Sequence, residues 1–322
     1  MGGLCAATVE VSLLGILQYV SGKAELKWVD VTRFGDIGGR VCGVFENPNV
    51  FAEYLLILVP LAFLYLLEQN TKSGKVFGVV LLAVLTLCTI NTWSRGAWLG
   101  LGVATVVYWL IADKRSPVYL LGGLLLAPTA TFMLPDSISE RLLSIGNFGD
   151  SSVAYRFSVW KGVWRMLRET LWCGVGVGHA AFSAVYPAFA YGGSIGIRHA
   201  HSIYLQLIAE LGIIGFFIVA AVLFLFVQTC FEYFLKVSDQ KKKRLPAVVF
   251  SSVLGMLIMG LTDHIWYDYR IFFCFWVVIA LVSAYVRRGF LEEERRFVFC
   301  ENTAEQASVA LGGNDWGGER DR

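Results

Sequence analysis

The chain has 322 residues, of which 56% are hydrophobic and only 16% charged, and its mean hydropathy is +0.61. A water-soluble domain of this length is nearer half apolar and a quarter charged, so the excess points to lipid as the solvent. The net charge of +2 is too small to argue for a nucleic-acid partner.

A helix needs about 20 mainly apolar residues to cross a bilayer core. Eight stretches meet or approach that length: Leu4 to Val20, Val50 to Leu67, Val76 to Trp93, Ala97 to Ala112, Val118 to Leu134, Ile203 to Phe234, Ala247 to Asp263 and Ile271 to Val286. The expected class is an all-α polytopic membrane protein of about eight transmembrane helices, with one large extracytoplasmic loop that contains an amphipathic helix. The first stretch lacks a basic leader and carries Glu10, so it is expected to be a retained helix and not a cleaved signal. The fourth and fifth are short and Gly-rich, and the sixth is long enough to tilt or to project from the lipid.

Lys and Arg in short loops set the orientation. With the N-terminus inside, Lys72 to Lys75, Asp113 to Arg115 and Lys236 to Arg244, with its "QKKKR" run, all face the cytoplasm. The C-terminus is then inside as well. The expected organisation is five spans over residues 1–134 with an outer loop at 21–49, a large outer loop at 135–202, and three spans at 203–286. A polar cytoplasmic tail at 287–322 is expected to be disordered and solvated. Within the large loop, "YRFSVWKGVWRMLRET" puts Phe157, Trp160, Val163, Trp164 and Leu167 on one helical face and Lys161, Arg165 and Arg168 on its flank. Such a helix suits a membrane surface, with Arg156 the exception near its apolar face. "CGVGVGHAAF" reads as a turn or loop; it lacks the strand–helix context of a nucleotide site. The seven cysteines are scattered and odd in number, with no metal or disulfide spacing, although Cys42 and Cys173 could meet outside the membrane.

Four outer-facing elements carry basic or hydrogen-bonding groups near helix ends: "GRVCGVFENPNVFAEYL", "NTWSRGAW", "AYRFSVW" and "RHAHSIYLQLIAELGIIG". The positive-inside rule does not account for arginines there. They either snorkel to headgroup phosphates or converge on an anionic ligand. Arg95 occupies a tight turn between two apolar helices, where a bidentate guanidinium suits phosphate oxygens. His199 and His201 are two apart, which rules out a helical zinc pair, and a metal would need distant ligands; none is assigned. His201 immediately precedes a long helix and is either a hydrogen-bonded interfacial histidine or a general base. Glu53, Glu210 and Asp263 lie in or beside apolar segments, where an uncompensated charge is expensive. Asp263 with His264, Asp268 and Arg270 forms a polar cluster that either orients a substrate or locks two helices.

"HSIYLQLIAELGIIG" resembles the signature of the O-antigen ligase and polymerase superfamily: His, then Asn, Ser or Gln, nine residues, Gly, two residues and Gly, here His201, Ser202, Gly212 and Gly215. "NPNVFAEYL", "SRGAWLGL", "YRFSVW" and "GVGVG" precede it in the family's order, and the resemblance spans Gly15 to Ala284. Members carry more spans, so the chain is expected to begin several helices into their plan. The resemblance implies metal-independent, cofactor-free glycosyl transfer at the outer face of a bacterial cytoplasmic membrane. The donor is a glycan on undecaprenyl diphosphate, and the acceptor is a hydroxyl of a glycolipid, another glycan or a protein. It further implies that Arg95 and Arg156 bind the diphosphate and that His201 is the base, with inversion at the anomeric carbon. Two guanidinium groups in a low-dielectric pocket can stabilise a departing diphosphate without Mg²⁺. Asn47 and Asn49 either shape the donor site or cap a helix at "NPN". Arg40, His199 and Asp263 complete the candidates. The alternatives are a transporter or flippase of lipid-linked glycan, or a non-catalytic assembly partner. Transporters favour polar groups at the midplane, whereas here they gather at one surface.

Overall fold

The computed structural model describes residues 2–22, 39–113, 115–118, 120–123, 136–143, 151–192 and 194–312. Among these, the long elements are all helices: α1 (Gly2–Ser21), α2 (Pro48–Glu68), α3 (Lys72–Asn91), α4 (Arg95–Ala112), α5 (Asp136–Leu143), α6 (Ser151–Thr170), α7 (His179–Val185), α8 (Ile203–Lys236), α9 (Gln240–Met259) and α10 (Tyr269–Gly312). Five of the described helices are long and apolar enough to cross a membrane: α2, α3, α4, α8 and the first part of α10, Tyr269–Glu293. The chain is an all-α polytopic membrane protein. Most of the expected span Val118 to Leu134 lies outside the described residues, as does much of the outer loop 21–49.

Helices α2 and α9 are the most enclosed of the long helices, and α9 illustrates how. Its first turn carries Lys241, Lys242, Lys243 and Arg244, and the apolar remainder is buried between neighbours. Lipid tails are as apolar as leucine, so helices here must be held by close packing and hydrogen bonds. Gly100 of α4 and Gly255 of α9 supply that approach. A Cβ on Gly100 would stand 2.5 Å from the Gly255 carbonyl oxygen. Ser252 of α9 donates to the Leu56 carbonyl of α2 at 2.7 Å, and Phe51, Leu55 and Leu56 of α2 are fully buried beside it.

The two ends of the bundle differ. At one end Arg244 reaches Glu68 at 3.0 Å and Lys242 reaches Glu292 at 3.4 Å. At the other end lie the start of α2, the α3–α4 turn, the start of α8 and the turn after α9. The chain from Arg287, expected as a disordered tail, continues α10 as helix to Gly312. Its residues are good helix formers with favourable i,i+4 charge, and Arg288 bonds Glu292 at 3.1 Å.

Helix α8 is not one rod. Gly212 has φ 69° and ψ 177°, a conformation only glycine adopts comfortably, and it breaks the helix after nine residues. The break would strand carbonyls, and the "GVGVG" loop takes them up. Val175 N–H donates to the Ala209 carbonyl at 2.8 Å, and Gly176 N–H to that of Glu210 at 3.1 Å. Across the break Ile213 N–H donates to Leu171 at 2.7 Å. The sixth span is therefore a short segment followed by a straight helix from residue 213.

Helix α6 packs on that short segment. Its buried face is Val159, Gly162, Val163, Met166 and Leu167, while Phe157 and Trp164 are exposed, so the apolar face is turned from the expected one. The cause is local: Gly162 admits the fully buried Tyr186 ring, and Trp160 donates to the Ala200 carbonyl at 3.0 Å.

Candidate functional site

The turn after α9, residues 260–268, organises one end of the bundle. Ile203 N–H donates to the Gly260 carbonyl at 2.9 Å, and the Tyr204 hydroxyl to that of Leu257 at 2.8 Å. Gln206 accepts from Ala200 N–H at 2.6 Å and donates to Glu210 at 2.7 Å, which latches the 200–202 segment onto the start of α8. His201 is held between these anchors with φ 48°, a left-handed backbone that non-glycine residues adopt uncommonly.

That backbone brings His201 Nδ1 to 3.9 Å from Asp263 Oδ1. This is ion-pair range but too long for a hydrogen bond. Asp263 is 7% exposed. It accepts from Asn49 Nδ2 at 2.8 Å and from His264 N–H at 2.9 Å. Asn49 in turn accepts from Arg40 Nη2 at 3.0 Å, and Arg40 Nε donates to the Thr92 carbonyl at 2.7 Å. Burial alone would raise the Asp263 carboxyl, but the neighbouring His201, then Arg156 and His199, hold it below the usual carboxylate range. It is a carboxylate at neutral pH.

Arg156 crosses to the same turn. Its Nε donates to the Thr262 carbonyl at 2.9 Å and its Nη1 to Ser152 at 2.7 Å. Arg95 opens α4 after the N-cap Ser94, and the φ of 54° at Trp93 makes the α3–α4 connection tight. The neighbouring Gly96 faces Met259 and Thr262, with its ideal Cβ at 3.3 and 3.4 Å from them, so Arg95 stands beside the turn that Arg156 binds. Asn47 acts as the N-cap of α2, accepting from Asn49 N–H at 2.8 Å, with Pro48 as the first helical residue.

Aromatic and imidazole rings surround His201. His199 lies tilted against it at 4.2 Å between centroids, and its Nδ1 accepts from His201 N–H at 3.2 Å; Tyr155 meets His201 edge-on at 5.8 Å. Tyr267 lies 5.0 Å from His199, 6.0 Å from His179 and 6.1 Å from His264. All four histidines of the chain thus meet at one place. Burial, then His201, push His199 well below the usual imidazole range, and burial pushes His264 down to about 4. Both are neutral at physiological pH. Ligand atoms of His199, His201 and Asp263 lie within 4.8 Å of one another, so the distant third ligand that the sequence could not supply is present.

Of the sequence candidates, Arg40, Asn49, Arg156, His199, His201 and Asp263 share this network, Arg95 adjoins it, and Asn47 serves as a helix cap. The expected Asp263–Arg270 cluster divides in two. Asp268 pairs with Arg270 at 2.6 Å, and Arg270 covers the Phe45 ring, while Asp263 turns to His201. Glu53 is buried with Oε2 unpartnered among the described residues, and Glu210 is bound by Gln206. Cys42 and Cys173 are both free. An open cleft of about 400 Å³ beside Leu14, Gln18, Cys42 and Glu46 includes none of the site residues. Sequence reading missed Tyr155, Gln206, the Thr262 carbonyl and Tyr267. The one available signal was that every histidine falls outside the long apolar stretches.

Residues 77–220 match the sequence profile of the family described as O-antigen ligase. A Rickettsia conorii protein with the provisional name polysaccharide ligase is 26% identical over 264 residues, covering 76% of this chain and 60% of that relative. The chain therefore spans about 60% of the length of the curated relative it matches. The matched region contains Arg95, Arg156, His201, Gly212 and Gly215. Through residues 77–220 and the motifs they carry, the chain is similar to the O-antigen ligase superfamily.

Proposed function

We propose that the protein is a membrane glycosyltransferase that moves a glycan from undecaprenyl diphosphate to an acceptor hydroxyl, as a surface-polysaccharide ligase or polymerase. The observation that carries this reading is the approach of His201 Nδ1 to the buried Asp263 carboxylate at 3.9 Å, in a turn that also binds Arg156. A carboxylate on that side favours the proton on Nδ1 and leaves Nε2 as the proton acceptor. The 3.9 Å separation closes to a hydrogen bond as imidazolium charge develops; catalytic contacts are commonly loose before substrate binds.

In the reaction, His201 takes the acceptor hydroxyl proton while that oxygen bonds to the anomeric carbon. The bond from that carbon to the diphosphate oxygen breaks, and undecaprenyl diphosphate leaves with its electron pair. Attack opposite the leaving group inverts the anomeric centre. Arg95 and Arg156 offset the growing diphosphate charge, so no metal is required. Asp263 orients His201, and Asn49 and Arg40 fix Asp263.

Orientation follows from the distribution of charge. Lys72, Lys75, Lys236, Lys241 to Arg244, Arg287 and Arg288 gather at the end remote from His201, which supports both termini inside and the site at the outer surface of a bacterial cytoplasmic membrane. The helix break at Gly212 gives no support to a carrier. The Ala209 and Glu210 carbonyls there are bound by Val175 and Gly176 and are not offered to a cargo ion.

The test uses purified protein in bilayer nanodiscs with a lipid-diphosphate-linked oligosaccharide and an acceptor glycolipid, in EDTA. Wild-type protein is expected to form the new linkage, and His201→Ala to lose it while remaining membrane-inserted. Full activity of that variant would remove the base assignment.

A further inference from the structure

The proposed transfer uses His201, Asp263 and Arg156 and gives no task to His199. Yet the His199 ring lies 4.2 Å from that of His201, His264 lies 5.7 Å from His199, and Tyr267 connects His199 to His179. Two nitrogens at this place, His201 Nδ1 and His264 Nδ1, are buried without a hydrogen-bond partner among the described residues. Each is a lone pair or an N–H withdrawn from water with nothing bound to it, a cost that a ligand would relieve.

We propose that His199, His201 and Asp263 bind a single divalent transition-metal ion of the zinc type, and that this ion inhibits the enzyme. The inhibitory part rests on the assignment of His201 as the base. Two imidazoles and a carboxylate are a donor set suited to Zn²⁺ and poor for Mg²⁺, which prefers water and oxygen donors. Bond lengths of about 2.0–2.2 Å in a tetrahedron place ligand atoms about 3.4 Å apart. The His201–Asp263 pair at 3.9 Å must therefore close by about half an ångström, and the whole triad, already within 4.8 Å, by little more than one. Side-chain rotation supplies that. The second shell is in place. Asn49 and the His264 N–H hold the Asp263 oxygens, and the His201 N–H holds His199 Nδ1, which directs His199 Nε2 to an ion. Coordination displaces no covalent group. It commits His201 to the ion and fixes its ring, so the imidazole can no longer receive the acceptor proton.

Arg156 is the opposing feature. Its charge weakens the site, so the ion is expected to be displaceable by chelator.

The experiment uses the full chain, purified with a tag free of histidine and stripped with EDTA. Zn²⁺ is titrated and bound metal is counted after desalting, for wild-type protein, His199→Ala and Asp263→Asn. One Zn²⁺ per chain in the wild type, lost in both variants, with X-ray absorption showing two imidazoles in the first coordination sphere, is the expected result. Equal binding by wild-type and variant chains, or no retained Zn²⁺, would overturn the site. In parallel, transfer activity is measured in EDTA and then with added Zn²⁺. At least a tenfold reversible loss is expected, and Mg²⁺ should have no effect. Stoichiometric binding with undiminished activity would overturn the inhibition and, separately, count against His201 as the base.

Discussion

Asp263→Asn tests the electrostatic core of the site. The substitution keeps size and one acceptor oxygen for Asn49 but removes the charge that faces His201. At the 3.9 Å separation, and with the effective dielectric constant near 20 suited to such sites, a full imidazolium–carboxylate attraction is about 4 kcal/mol. A proton about half transferred in the transition state would feel about 2 kcal/mol of it, which corresponds to a roughly thirtyfold fall in kcat. The donor's KM should change little, because Arg95 and Arg156 are untouched. The assay is initial-rate transfer in nanodiscs in EDTA, at saturating acceptor with donor varied, with insertion checked by protease protection. A kcat within threefold of wild type would refute the orienting role. A loss confined to KM, or a failure to insert, would make Asp263 a purely structural residue.

Arg95→Lys keeps the charge and loses the planar fork. Charge-assisted hydrogen bonds are worth about 1.5–3 kcal/mol each, so losing one of two should cost at least about tenfold in kcat/KM for the donor. Undiminished activity would identify Arg95 as a headgroup-snorkelling residue. Gly212→Ala places a Cβ against the Trp172 carbonyl at a positive φ. The expected cost of about 1–3 kcal/mol for the backbone alone should appear as a lower unfolding temperature in detergent. An unchanged unfolding temperature would mean that α8 tolerates a continuous helix there.

Five of the eight expected spans were legible because apolar length is a strong signal, and α2, α3, α4, α8 and α10 fall where hydropathy puts them. The break in α8 was not. Every residue around Gly212 is apolar or small, and hydropathy does not register a backbone that turns through a left-handed conformation. The face of α6 was misplaced for a related reason. Trp164 and Phe157 are the bulkiest apolar groups, but Gly162 and Val159 are what fit against Tyr186 and Ala200. Close approach, not hydrophobicity, chose the face. His201, Arg95 and Arg156 were singled out by motif as candidates, and the fold brings them to the same end of the bundle. Asp263, which approaches His201, was named only as one member of a cluster, because it lies far along the chain and its contact with Asn49 closes only on folding. Arg156 binds a backbone carbonyl, an acceptor that every residue offers and no side-chain pattern reveals. The helical continuation of α10 to Gly312 was hidden by charge, which reads equally as a solvated tail or as a helix of paired ions.

The proposed transfer requires one guanidinium–imidazole pocket open to the extracytoplasmic side. Single cysteines placed at positions 95 and 201, in a chain with all seven native cysteines replaced by serine, can be labelled in intact spheroplasts with a membrane-impermeant maleimide. Both are expected to react from outside. Labelling of the two from opposite sides of the membrane would contradict the account.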